Sequence, residues 1–253
     1  MRYAALLRGL VLAAGLIAVW QAIVWLTGAP HYILPGPLPV FEALAANAPL
    51  LAEHAMTTAA EILLGLALGT ILGAASAMAM DYAATIRRWL MPVLVVSQAV
   101  PVFALAPVLV LWLGYGMASK VAMATLIIFF PVTAAFLDGL RRTEPGWMDL
   151  AQSMGASRWS ALRQIRMPAA LPAFASGLRV ATAVAPIGAV IGEWVGSAGG
   201  LGYLMLQSNA RMQTDLMFAA LFVLAVLAIA LYFAIDLLLV RALPWVADTA
   251  TRS

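Results

Sequence analysis

The chain has 253 residues, of which 64% are hydrophobic and only 10% charged, and its mean hydropathy is +0.99. Soluble domains carry ~25% charged residues, so this composition excludes a water-clothed globule and makes lipid the main solvent. The net charge of +3 does not indicate nucleic acid, because the basic residues sit between apolar runs as topology signals do; with no cysteine and two histidines, disulfides, thiolate sites and a histidine metal cluster are excluded.

Six runs are long and apolar enough to cross a bilayer as helices, at about 20 residues each. They cover 9–27, 56–80, 89–113, 118–138, 172–195 and 216–240, giving an all-α, polytopic membrane domain over 1–253. Continuous runs rather than alternating segments exclude a β-barrel. The first run follows Arg2 and Arg8 and resembles a signal peptide in position. It is too long, carries Trp20 and Trp25, and ends Leu26-Thr27-Gly28-Ala29-Pro30 without a small-x-small site, so it is expected to be retained. After it come the turn Leu34-Pro35-Gly36-Pro37 and a moderately apolar stretch, Val40 to Leu51, expected as a short interfacial helix.

The second run carries Gly65, Gly69 and Gly73 at i, i+4, i+8, a smooth face for close helix packing. The third contains Gln98, Pro101 and Pro107; two prolines free carbonyls and bend a helix, which suits the lining of a pathway. Charged groups inside spans are costly and mark functional candidates, though interhelical hydrogen bonds are the commoner use. Glu61, Glu193 and Asp236 are such residues, and Gln98, Pro101, Glu193 and Trp194 are taken as pathway candidates. No catalytic residue set is expected.

Basic-residue bias sets the orientation. With the N-terminus inside, 12 of the 14 Lys and Arg lie on the inner side: Arg2, Arg8, Arg87, Arg88, Arg141, Arg142, Arg158, Arg163, Arg166, Arg179, Arg241 and Arg252. Only Lys120 and Arg211 lie outside, and both termini are cytoplasmic.

The longest charged connection lies between the fourth and fifth runs. Pro145 suits the first turn of a helix, with Thr143 or Glu144 to cap it. Met148, Ala151 and Met154 recur at helical spacing until Gly155, which can take the positive φ that ends a helix. Ser157 can cap a second helix on which Trp159, Leu162 and Ile165 recur, and Pro168 and Pro172 are expected to end it. Periodicity alone leaves two readings: an amphipathic loop resting on headgroups, or a knob that docks in a partner's groove.

Asp149-Leu150-Ala151, three residues, Gly155, nine residues, then Ile165-Arg166-Met167-Pro168 closely resembles the "EAA" loop of ABC importer permeases, whose pattern reads Glu-Ala-Ala, Gly, Ile-x-Leu-Pro at the same spacing. The departures are Asp at 149, Leu at 150 and Met at 167. The resemblance implies a permease subunit in the bacterial inner membrane, paired with a second copy as a homodimer. It also implies a separate ATP-binding cassette ATPase and an external substrate-binding protein as partners. ATP would be bound by the ATPase alone, since this chain has no Gly-x-x-x-x-Gly-Lys-Ser/Thr loop and needs no cofactor of its own. Docking falls to Asp149, Ala151, Gly155, Trp159, Ile165 and Pro168. Ile191-Gly192-Glu193-Trp194-Val195-Gly196 and Gly199-Gly200-Leu201-Gly202-Tyr203-Leu204 resemble permeases for nitrate, sulfonate, taurine and thiamine precursors. Leu111-Trp112-Leu113-Gly114-Tyr115-Gly116 and Phe129-Phe130-Pro131-Val132-Thr133 are most similar to those for the hydroxymethylpyrimidine precursor of thiamine. A flat heteroaromatic could stack on Trp112, Tyr115 or Trp194, although aromatics at span ends are commonly interface anchors.

Two other classes fit less well. A stand-alone secondary transporter or channel would show paired repeats with broken helices at matching positions. An intramembrane enzyme would carry His-Glu-x-x-His or Gly-x-Ser-x-Gly, and neither occurs.

Overall fold

A computed structural model describes residues 2–245, which are helical with no strand among them; Arg252 lies outside. The helices are α1 (Arg2–Thr27), α2 (Pro37–Ala46), α3 (Ala48–Tyr82), α4 (Ala84–Ala99), α5 (Val102–Leu113), α6 (Met117–Arg141), α7 (Pro145–Ser153), α8 (Arg158–Ala161), α9 (Met167–Gly196), α10 (Leu201–Ala210) and α11 (Thr214–Ala242). One π-helical turn, Leu162–Arg166, joins α8 to α9.

The centre is a three-helix packet in which α6 lies between α3 and α9. Glycines let the backbones close. A Cβ on Gly69 of α3 would stand 2.6 Å from Ile128 Cγ2 of α6. From the other side, a Cβ on Gly188 of α9 would stand 2.7 Å from Ala124 Cα. The Gly65, Gly69, Gly73 face thus serves close packing, as its spacing predicts. In lipid there is no water to expel from between helices, so dispersion across such tight contacts carries much of the association. Ile62, Leu66, Ala124, Ile128, Ala181 and Ala185 form the middle of this packet, all buried. Met80, Leu94, Phe136, Leu140 and Leu162 form a second cluster towards α7 and α8.

Four stretches are long and apolar enough to cross a membrane: Ala48–Tyr82, Met117–Arg141, Arg158–Gly196 and Thr214–Ala242. The span expected over 89–113 as one helix bent at its prolines is not continuous. Instead α4 and α5 meet at 103°, a broken span or a re-entrant pair. Val100 is extended (φ −87, ψ 119) because the Pro101 ring disfavours helical geometry in the residue before it. Expected helix boundaries also move. The stretch Val40 to Leu51 is split at Asn47, and Val40 is buried against Leu201, Leu204 and Leu216, so α2 is tucked into the fold rather than lying free at the interface. Pro168 does not end the second helix of the knob. The π turn absorbs it: the Met167 N–H donates to the Leu162 carbonyl five residues back, and a continuous helical path runs from Arg158 to Gly196.

α1 makes few contacts. Its anchor is Trp20, whose Nε1–H donates to the Pro35 carbonyl (3.1 Å) and whose ring stacks on Phe218 at 6.2 Å.

Candidate functional site

Two polar constructions stand at opposite ends of α6 and α9. The first is the knob. α7 starts on Pro145, with Glu144 at its N-cap making no side-chain bond, and Thr143 Oγ1 donates instead to the Leu140 carbonyl (3.0 Å). The helix ends in a Schellman motif: the Gly155 N–H donates to Gln152 O (3.0 Å) and the Ala156 N–H to Ala151 O (2.9 Å). Gly155 takes φ +77, and open space surrounds the position a Cβ would occupy. Ser157 then caps α8, its Oγ accepting from the Ser160 N–H at 3.1 Å.

The knob's candidate residues do not share one face. Ala151 is buried, and Leu162 packs into the bundle cluster with Met80, Phe136 and Leu140. Asp149 and Gly155 are exposed, Trp159 is 56% exposed, Ile165 is half-buried in the π turn, and Pro168 is exposed near the start of α9. Trp159 meets Tyr82 edge-on at 6.3 Å. The periodic set Met148, Ala151, Met154 does not hold as one stripe. α7 stops at Ser153, so Met154, at the C-cap, turns outward and is 79% exposed. Leu150, 61% exposed, joins it. Met154 was named by the spacing but on the wrong face; Leu150 is the residue the spacing missed, and an apolar Leu in a family position otherwise small was the available signal.

The second construction lies where α3, α6 and α9 come together at the other end. Lys120 Nζ donates to Glu61 Oε1 at 2.8 Å, with both side chains almost wholly buried. Glu193 is 1% exposed and caps α10 from a distance. Its Oε2 accepts the N–H of Gly202 (2.5 Å) and of Tyr203 (3.4 Å), and its Oε1 accepts the Thr58 hydroxyl (2.6 Å). Thr58 Oγ1 in turn accepts the Leu201 N–H (2.8 Å), and His54 Nδ1 accepts the Gly200 N–H (3.0 Å). The first turn of a helix leaves four N–H groups without internal partners, and its positive pole favours a carboxylate. Here side chains of α3 and α9 supply what α10 lacks. Gly200, at φ +104, has no room for a Cβ, which would enter the Glu193 carboxyl.

Other polar residues fall elsewhere. Gln98 and Pro101 are exposed at the α4–α5 break, and Trp194 is 50% exposed. Asp236 of α11 accepts from Arg179 Nε of α9 at 2.6 Å, an interhelical tie. Among the described residues no three His, Asp or Glu side chains are grouped as a metal site would need.

Residues 65–247 match the family described as binding-protein-dependent transport system inner membrane component. The chain belongs to that family. A probable ABC transporter permease protein of Haemophilus influenzae is 55% identical to this permease over 93% of this chain and 96% of its own. The formylaminopyrimidine transport permease ThiX of Halalkalibacterium halodurans is 38% identical, covering 91% and 92%. The riboflavin transport system permease RibX of Chloroflexus aurantiacus is 36% identical, covering 88% and 84%. Among solved structures, a chain of the MetNI methionine ABC transporter in an inward-facing form superposes with a TM-score of 0.67 at 20% identity, covering 78% of this permease and 97% of that chain. The last comparison supports the helical fold. The permease is thus a membrane component of an ABC importer, similar to the nitrate, sulfonate, taurine and thiamine-precursor group; such components lack an ATPase site and work with an ATPase and a substrate-binding protein.

Proposed function

We propose that this permease forms the solute pathway of an importer as one of two identical copies, and that the knob at Gly155 receives the motion of a separate cytoplasmic ATPase. The observation that carries this is the set of large apolar side chains the knob leaves exposed. Leu150, Met154 and Trp159 are all more than half exposed on a turn fixed by a full Schellman motif. Exposed Leu, Met and Trp on a rigid helical projection suit a groove in a soluble protein. In this reading α1 and the α4–α5 pair complete six spans, both termini are cytoplasmic, and Asp149 offers the ATPase an ionic contact beside the apolar anchors.

The pathway runs by Gln98 and Pro101 at the break and by Trp194, while Glu193 braces the neighbouring α10 from behind. For the solute we infer a small planar nitrogen heterocycle of the thiamine-precursor kind. Trp112 (75% exposed), Tyr115 (83%) and Trp194 (50%) offer free aromatic faces, and α5 reaches the C-terminal end of α9 where Val110 closes on Gly196. Such faces stack flat rings.

The test is twofold. A cysteine introduced at Ser157 is expected to react with a membrane-impermeant maleimide only after the cell is opened; labelling from outside intact cells would overturn the orientation and the docking together. Calorimetry on the cognate binding protein is expected to show a saturable heat of binding with a pyrimidine precursor and none with taurine or nitrate. The reverse result would replace the solute and leave the knob untouched.

A further inference from the structure

At the end of the bundle that carries Gly155, Arg87 of α4, Arg141 of α6, Arg158 of α8 and Arg166 of the π turn line one cavity of about 400 Å³. A single acid faces them: Asp81, bonded to Arg166 Nη1 at 2.6 Å, with its side chain 3% exposed. Among the described residues Arg87, Arg141 and Arg158 have no carboxylate within 4.0 Å. Arg166 Nε is buried with no hydrogen-bond partner. The cavity therefore holds an excess of three positive charges and an unfilled donor. Topology signals need only lie on one side of the membrane, where guanidiniums can splay into water. Here four from separate elements are gathered into one cavity, an arrangement that repels itself until an anion enters.

A second feature names the anion's body. A groove of about 570 Å³ shares Arg87 and Arg141 with the cavity, adds Arg88 at its mouth, and runs down α4 past Met91, Pro92, Val95 and Val96. Val95 and Val96 are 61% and 63% exposed. A basic mouth opening on an apolar trough has the polarity of a phospholipid, and a free phosphate would leave the trough empty.

We propose that the cavity and groove bind one anionic phospholipid, its phosphate among Arg87, Arg141 and Arg158 and an acyl chain along α4. The site joins α4 and α6 to α8, so the bound lipid braces the root of the knob. It rests on neither the solute nor the docking reading.

The full-length permease, purified in a neutral detergent, is titrated with phosphatidylglycerol and phosphatidylcholine and followed by native mass spectrometry. Phosphatidylglycerol is expected to be retained and phosphatidylcholine to wash away. The triple variant Arg87→Gln, Arg141→Gln, Arg158→Gln should lose about tenfold or more in affinity, since each basic group near an anionic lipid contributes independently. Arg163→Gln, which removes an exposed arginine outside the cavity, should change nothing. The matching triple Lys variant keeps the charge and should retain the lipid, which separates loss of the site from loss of the fold. On the unmutated protein, a short-chain phosphatidylglycerol should bind at least ~tenfold more weakly than a long-chain one, because each buried methylene adds to the affinity. Equal retention by the triple Gln variant, an equal loss in Arg163→Gln, or displacement by inorganic phosphate would overturn the proposal. So would an assembled transporter without the lipid in which Arg141 cross-links to an acidic segment of the ATPase.

Discussion

The two ends of the α6–α9 pair are built on opposite plans. At the Glu193 end most polar groups meet another from the same chain: Lys120 meets Glu61 Oε1, though Glu61 Oε2 stays buried without a partner, and Thr58, His54 and Glu193 meet the first N–H groups of α10. At the Gly155 end the backbone turn is complete but the side chains are not. Leu150, Met154 and Trp159 face outward, and three arginines wait without acids. The first end is closed largely by its own fold, and the second is shaped for something else. Substitutions at the first should therefore cost stability, and at the second they should cost association.

The largest effect is expected at Lys120. Lys120→Met leaves Glu61 buried without its ammonium, and breaking such a pair from one side costs about 3–5 kcal/mol. Thermal unfolding in detergent should show a large loss, mostly recovered in the double variant Lys120→Met, Glu61→Leu. A single variant as stable as the parent would mean that this end is not self-contained. Thr58→Val is next. It orphans the Leu201 N–H and one bond of Glu193, each an unmet buried group worth ~1–3 kcal/mol. Hydrogen exchange at the start of α10 should accelerate while the centre of α6 stays protected.

Gly155→Asp tests the junction between the two plans. A side chain at φ +77 costs ~1–2 kcal/mol in the left-handed region. That loss falls on α7 and α8, so the bundle should stay inserted while ATP hydrolysis ceases to respond to solute. Unchanged coupled transport in reconstituted vesicles would remove the knob from the mechanism.

How much of this could be read in the sequence follows from how local each feature is. The Gly155 turn, the Ser157 cap and the Gly65–Gly69–Gly73 face were legible because each is set by a few neighbouring residues. The pairing of Glu61 with Lys120 spans 59 residues and that of Thr58 with Glu193 spans 135, so no periodicity announces either. Glu193 was legible as a buried carboxylate but not as the cap of α10. The hint was an acid just ahead of Gly199-Gly200-Leu201, opening a helix with no acid in its own first turn. Pro101 promised a bend, yet its 103° depends on what α5 packs against. The π turn has no sequence mark beyond Pro168, and Pro131, Pro172 and Pro186 sit inside regular helices of the same chain, so a proline alone does not announce it.

The smallest effect on the fold is expected from Leu150→Ser, and it separates the two plans most sharply. Leu150 is 61% exposed, so losing its side chain uncovers little that is buried now. Surface changes of this kind shift stability by within ~0.5 kcal/mol. If the knob sits in an ATPase groove, Leu150 is one of its anchors, and truncating an anchor costs ~2 kcal/mol or more of binding, a loss of about thirtyfold. Unfolding curves of the permease alone should superpose on the parent's, while the ATPase dissociates from detergent-solubilised complexes that the parent holds together. Equal loss of stability would mean that Leu150 already packs within this chain. Equal retention of the ATPase would mean that the exposed face at Gly155 is not where the partner binds.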